Sequence, residues 1–130
     1  MVEPHKYDSI THTIIGCAMK VHSALGNGFQ EVIYQRALEI ELEKAGLSFL
    51  REKEIPVRYD GQDIGSRRAD FLVEHSVLVE LKAITQLEEV HFAQIINYLT
   101  AYGLEIGLLI NFGEKKLNFK RFIRSGKSIG

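Results

Sequence analysis

Residues 77–82 read Val-Leu-Val-Glu-Leu-Lys, apolar enough for a buried strand yet carrying two charges. Successive side chains on a strand face opposite ways, so Val77, Val79 and Leu81 point to one side and Leu78, Glu80 and Lys82 to the other. Burying two charges so close together is costly without a partner or a task. A salt bridge on a solvated strand surface is one answer, and such pairs contribute little. Asp70 argues for another. If Glu74-His75-Ser76 makes a three-residue turn, the preceding strand folds back so that Leu72 meets Leu78 and Asp70 stands across from Glu80. Directly opposed carboxylates repel each other. A bound Mg²⁺ or Mn²⁺ between them relieves that repulsion, because hard cations take oxygen ligands, although Lys82 alone could neutralise one carboxylate. A turn of two or four residues would instead put Asp70 on the opposite face.

The flanking segments have readable periods. Apolar residues at Ile10, Ile14, Cys17, Val21 and Leu25 predict a first helix, with Asp8 or Ser9 available as its cap. Gly26-Asn27-Gly28 then forms a tight connector. A second helix is expected over residues 29–45, with Ile33, Ala37, Ile40 and Lys44 on one stripe, Leu38, Leu42 and Ala45 beside it, and Gly46 as its stop. Residues 55–59 form a strand that enters the hairpin signal Asp60-Gly61, and Pro56, lacking a backbone donor, fits a strand that lies at an edge or begins there. Strands over residues 66–73 and 77–83 follow. Thr85 and Glu88 have capping-box spacing and open a third helix that ends near Gly103. Residues 104–112 are almost continuously apolar, as in a strand covered on both faces, and residues 117–123 alternate as a last strand. The order α-α-β-β-β-α-β-β describes an α/β sandwich of mixed strand direction, one domain over residues 1–130.

Composition narrows the class. A chain of 130 residues with 45% hydrophobic and 25% charged residues can bury a real core. No apolar run approaches the roughly 20 residues a membrane helix needs, and no secretory signal is visible at the start, so a cytoplasmic location is expected. The single Cys17 reads as a buried structural thiol. A net charge of −1 does not advertise a polyanionic partner. The charge is unevenly spread, however: Lys115, Lys116, Lys120, Arg121, Arg124 and Lys127 form a stretch with no acidic residue, and Arg67-Arg68 adds a second cluster. By themselves these read as solvated basic faces.

Glu31 falls in the first turn of the second helix, where the helix dipole already favours a carboxylate, and it shares a face with Tyr34. Gln94 and Tyr98 share a face of the third helix one turn beyond His91, and His91 reads more readily as a core or solvated histidine than as a catalytic one. Asp70 followed by Glu80-Leu81-Lys82 resembles the D…(D/E)-x-K signature of the PD-(D/E)XK nuclease superfamily. Gly28-Phe29-Gln30-Glu31-Val32-Ile33-Tyr34 is similar to the motif of the GxxExxY family within it, and Gln94-Ile95-Ile96-Asn97-Tyr98 to the QxxxY motif of its RecB-like branch. The resemblance runs from about Ile10 to Phe122. It departs from the superfamily's name at Ala69, where that name has proline.

The resemblance implies a PD-(D/E)XK, restriction-endonuclease-like sandwich with a mixed central sheet of about four to five strands flanked by helices. It further implies that Glu31, Asp70 and Glu80, joined by the Leu81 carbonyl, bind Mg²⁺ or Mn²⁺. Lys82 would orient or activate the attacking water, and Gln94 and Tyr98 would support the site or touch a phosphate. The activity implied is metal-dependent hydrolysis of nucleic acid, DNA ahead of RNA. Arg67, Arg68, Lys120, Arg121 and Arg124 would supply a modest phosphate footprint that a homodimer would double. The alternative is a silent or partner-dependent nuclease-fold module in a larger assembly.

Overall fold

The computed structural model describes residues 7–124, so Lys127 and the first six residues lie outside the described residues. Helix α1 spans Asp8–Leu25 and α2 spans Glu31–Lys44; strands β1, β2 and β3 follow at Phe49–Tyr59, Gln62–Val73 and Val77–Lys82. Helix α3 covers Glu89–Tyr102, and β4 and β5 cover Ile106–Asn111 and Asn118–Ile123. The element order is the expected one. The strands lie side by side in chain order as one five-stranded sheet, antiparallel except for the parallel pair β3–β4. That one parallel pair needs a crossover, and α3 supplies it.

Two hydrophobic layers sandwich the sheet. Ile14, Cys17, Val21, Tyr34, Leu38 and Leu42 from α1 and α2 pack on Phe71, Val79, Leu81 and Leu108. Ile95 and Leu99 from α3 pack on Ile55, Ala69, Leu78 and Leu109. Val79 and Leu78 thus reach opposite layers, as strand alternation requires. Strand β4 is buried throughout, in keeping with cover on both faces. Cys17 is buried and free. Among the described residues no helix is long and apolar enough to cross a membrane.

Both hairpins turn as expected. Asp60 and Gly61 adopt φ of 54° and 77° between the paired Tyr59 and Gln62. Glu74 and His75 take φ of 54° and 56°, and Val73 pairs with Val77 and Leu72 with Leu78, the register set by a three-residue turn. Strand β1, with Pro56 inside it, lies at the sheet edge.

Local details differ from the sequence expectation. Tyr7, not Asp8 or Ser9, occupies the cap of α1, while the Asp8 carboxylate reaches Arg121 at 2.7 Å. The buried face of α2 is Tyr34, Gln35, Leu38 and Leu42, and Ile33 and Ile40 are exposed. The helix docks one position round from the predicted stripe because the large Tyr34 and Leu38 bury more apolar area than Ile33 and Ala37. The capping box of α3 is Glu88 with His91, whose Nδ1 accepts the Glu88 N–H at 2.8 Å, and Thr85 stays exposed in the preceding loop. His91 is thereby explained by helix capping.

Candidate active site

Strands β2 and β3 pair from Val73–Val77 as far as Phe71–Val79, and the ladder stops there. The next positions are Asp70 and Glu80. The Asp70 carboxylate takes the place of a ladder bond: its Oδ2 accepts the Leu81 N–H at 2.7 Å. Its Oδ1 accepts from the Gln35 side chain at 3.2 Å, which ties α2 to the fork between the strands. On the other side, Glu52 of β1 falls opposite Asp70, is passed over in the β1–β2 register, and has a φ of 58°. Residues on either side of this level change layers. Phe49 and Phe71 pack toward α1 and α2, whereas Ile55 and Ala69 pack toward α3. The sheet therefore crimps where the carboxylates gather.

Glu80 is 8% exposed, and its Oε2 is buried without a hydrogen-bond partner among the described residues. Burial first, then the neighbouring Asp70, push its carboxyl up to about 8, against the opposing pull of Lys82; Glu31 adds a smaller upward push. Burial also raises Asp70, opposed by the Leu81 N–H and by Lys82, with Glu52 adding to the rise. Glu31 is the first residue of α2 and is raised by desolvation and by Asp70, again opposed by Lys82. Glu31, Asp70, Glu80 and Lys82 therefore form one electrostatic group. Lys82 makes no ion pair within 4 Å among the described residues, so it acts on all three carboxylates through space.

Tyr34 sets where α2 begins. Its hydroxyl donates to the Gly26 carbonyl at 2.6 Å and accepts the Phe29 N–H at 3.1 Å, and its ring stacks on Phe112 at 4.7 Å. The connector is thus pinned to the core, and Glu31 with it. At the far end of β4, the fully buried Asn111 holds the loop that follows β3. Its Oδ1 accepts the Ile84 N–H at 3.0 Å and its Nδ2 donates to the Ile84 carbonyl at 2.9 Å. Gln35, Glu52 and Asn111 were not anticipated from sequence. Gln35 was detectable, because it lies one helical turn beyond Glu31.

Gln94 and Tyr98 are half-buried on α3, and neither bonds to the carboxylates among the described residues. The Arg67 guanidinium lies over the Tyr98 ring, 5.5 Å from its centroid. Arg68 pairs with Glu52 and Glu54, Arg121 with Asp8, and Arg124 donates to the Leu104 carbonyl. Lys120 lies over Phe92. Two strands separate β2 from β5, so these residues do not merge into one patch.

As placed, no three His, Cys, Asp or Glu side chains among the described residues stand close enough to hold a metal. In kind, the donors fit a hard divalent cation. All are carboxylate oxygens, and among the described residues the buried Glu80 Oε2 has no partner and the Lys82 ammonium acts on all three acids.

The model of the PD-(D/E)XK nuclease superfamily matches residues 8–122. The chain belongs to that superfamily. Among solved structures, SSO0001 aligns with a TM-score of 0.59 at 20% identity, covering 92% of this PD-(D/E)XK chain and 60% of its own length. That likeness is one of fold. An alkaline exonuclease (LHK-Exo) from Laribacter hongkongensis aligns at 12% identity with a TM-score of 0.47, over 92% of this chain and 72% of its own. No curated protein matches the chain.

Proposed function

We propose that the chain is a metal-dependent nuclease that hydrolyses phosphodiester bonds in nucleic acid, DNA ahead of RNA. The observation that carries this reading is the buried Glu80, one of whose oxygens has no partner among the described residues, beside Asp70 at a fork where Lys82 acts on all three acids. Superfamily membership supports it, since PD-(D/E)XK nucleases generally use divalent metals. Glu31, Asp70, Glu80 and the Leu81 carbonyl would hold Mg²⁺ or Mn²⁺, which supplies Lewis-acid polarisation of the phosphodiester and a lower pKa for bound water. Asp70 is held in place by Leu81 and Gln35. Lys82 stabilises charge developing on the phosphate and positions the attacking water. Gln94 and Tyr98 orient the substrate from α3. The Gly28–Glu31–Tyr34 and Gln94–Tyr98 spacings support placement in the GxxExxY family and the RecB-like branch.

The test is calorimetric titration of Mn²⁺ into the wild-type chain and an Asp70→Ala/Glu80→Ala variant, with circular dichroism to establish folding. Binding at about millimolar or tighter in the wild type alone, together with metal-dependent cleavage of DNA lost by at least about 100-fold in the variant, is the expected result. Cleavage equal in both proteins would refute the site.

One observation favours a second reading, a partner-dependent accessory module. Arg68, Arg121 and Arg124, three of the five residues expected to form the phosphate footprint, are engaged within the molecule. On that reading metal binds but no nucleic acid is cut until a partner, or a second copy of the chain, is added.

A further inference from the structure

Beyond Ile55, strand β1 leaves the cover of α3. The β1–β2 register shifts between Val57 and Arg58, and such a bulge bends the strand and increases its twist. The departing ribbon and the end of α3 enclose a cleft of about 560 Å³ that belongs to neither hydrophobic layer. Pro56, Val57 and Arg58 form one wall, and Asn97, Thr100 and Ala101 form the other.

We propose that this cleft receives the base of an unpaired nucleotide of the substrate strand, making single-stranded nucleic acid the preferred ligand. This rests on the nuclease reading above. Three observations carry it. The lining offers what base recognition uses: apolar surface from Pro56, Val57 and Ala101, and the Asn97 amide, which has no partner among the described residues and provides both donors and an acceptor. Arg58 at the rim spends its Nε on Asp63 at 2.7 Å, in an exposed pair that is weak enough to yield its other N–H groups to a phosphate. The cleft also lies along the same strand pair as the candidate active site. Its β1 wall pairs with Gly65 and Ser66, while Arg67 stacked on Tyr98 stands between these and Asp70. Asp70 is four and five residues along β2 from Ser66 and Gly65, a path of roughly 13–17 Å at strand rise. A base can enter such a cleft only outside a duplex, and the Arg67 guanidinium, backed by Tyr98, offers a plane on which a neighbouring base can stack.

The experiment uses the Asp70→Asn chain, so that substrate is bound but not cut, and reads the anisotropy of a fluorescein-labelled 12-nucleotide single strand and of its blunt duplex at one salt concentration. Expected are tighter binding of the single strand and a loss of about fivefold or more on Arg58→Ala or Asn97→Ala, confined to the single strand. Ala101→Phe, which fills the cleft without removing a polar group, should show the same loss. Lys116→Ala, which removes an exposed charge elsewhere, should change binding less than twofold. Cleft variants that bind like the parent, or that lose single strand and duplex equally, overturn the proposal while leaving the nuclease reading intact. If neither oligonucleotide binds and the unsubstituted chain cleaves nothing, the nuclease reading falls and this inference with it.

Discussion

Gln35 shows how a residue without catalytic chemistry can govern a site of this kind. Buried on α2, it is the side chain that joins that helix to Asp70, and it leaves the second Asp70 oxygen to Leu81. Groups that orient a metal-binding carboxylate commonly affect metal affinity by 10- to 100-fold. Gln35→Leu is therefore expected to weaken Mn²⁺ binding by about tenfold, read by calorimetry, in a chain whose circular dichroism is unchanged. Affinity equal to wild type would mean that Leu81 alone positions Asp70. Asp70, Glu80 and Lys82 stood out in the sequence by their types and spacing, and Glu31, Gln94 and Tyr98 through the family resemblance. Gln35 was not singled out, because a glutamine on an amphipathic helix has many innocent explanations until its partner is seen.

The elements are held around the fork by close contacts between segments distant in sequence. At Gly113, just past β4, a Cβ would stand 2.2 Å from the Ile84 carbonyl oxygen and 2.3 Å from the Ile84 nitrogen. These are backbone atoms and cannot swing aside. Gly113→Ala should cost about 3 kcal/mol or more, seen as a lower urea midpoint, and should displace the strand end that carries Lys82, since the Phe112 N–H donates to the Lys82 carbonyl. A midpoint within 0.5 M of wild type would show that the two loops can separate at little cost. Strand and helix identities could be read from periods of two and 3.6, and both hairpins from turn chemistry. The rotation of α2 toward Tyr34 and Gln35, the start of β1 at Phe49 and the Glu88–His91 cap could not, because each depends on what the element packs against.

For the whole molecule, the gathered acids impose a pH dependence. The folded carboxyl of Glu80 is raised from 4.5 to about 8, and Asp70 and Glu31 shift the same way. The folded chain therefore holds protons that the unfolded chain has released. This contribution to stability is complete below about pH 4.5 and is lost as pH rises toward 8. In EDTA, Tm should fall by roughly 10 °C between pH 5 and 8, a few kcal/mol of stability. Glu80→Gln should flatten most of that slope, and Mg²⁺ at pH 8 should restore Tm in the wild type alone. A wild-type Tm that stays level over this range would contradict the burial of an ionisable Glu80. The sequence by itself determined the element order and the hairpin at Asp60-Gly61 and singled out the candidate acids, because these follow from local periodicity, turn chemistry and residue type. It narrowed the β2–β3 register to the choice of turn length, which the structure settled as three residues. Only the tertiary structure decided that the ladder opens at Asp70, that Glu52 and Gln35 flank it, that Arg68, Arg121 and Arg124 are already engaged, and that a cleft forms where β1 leaves α3. Those features are set by which surfaces meet, and such meetings depend on the free energy of packing the whole chain.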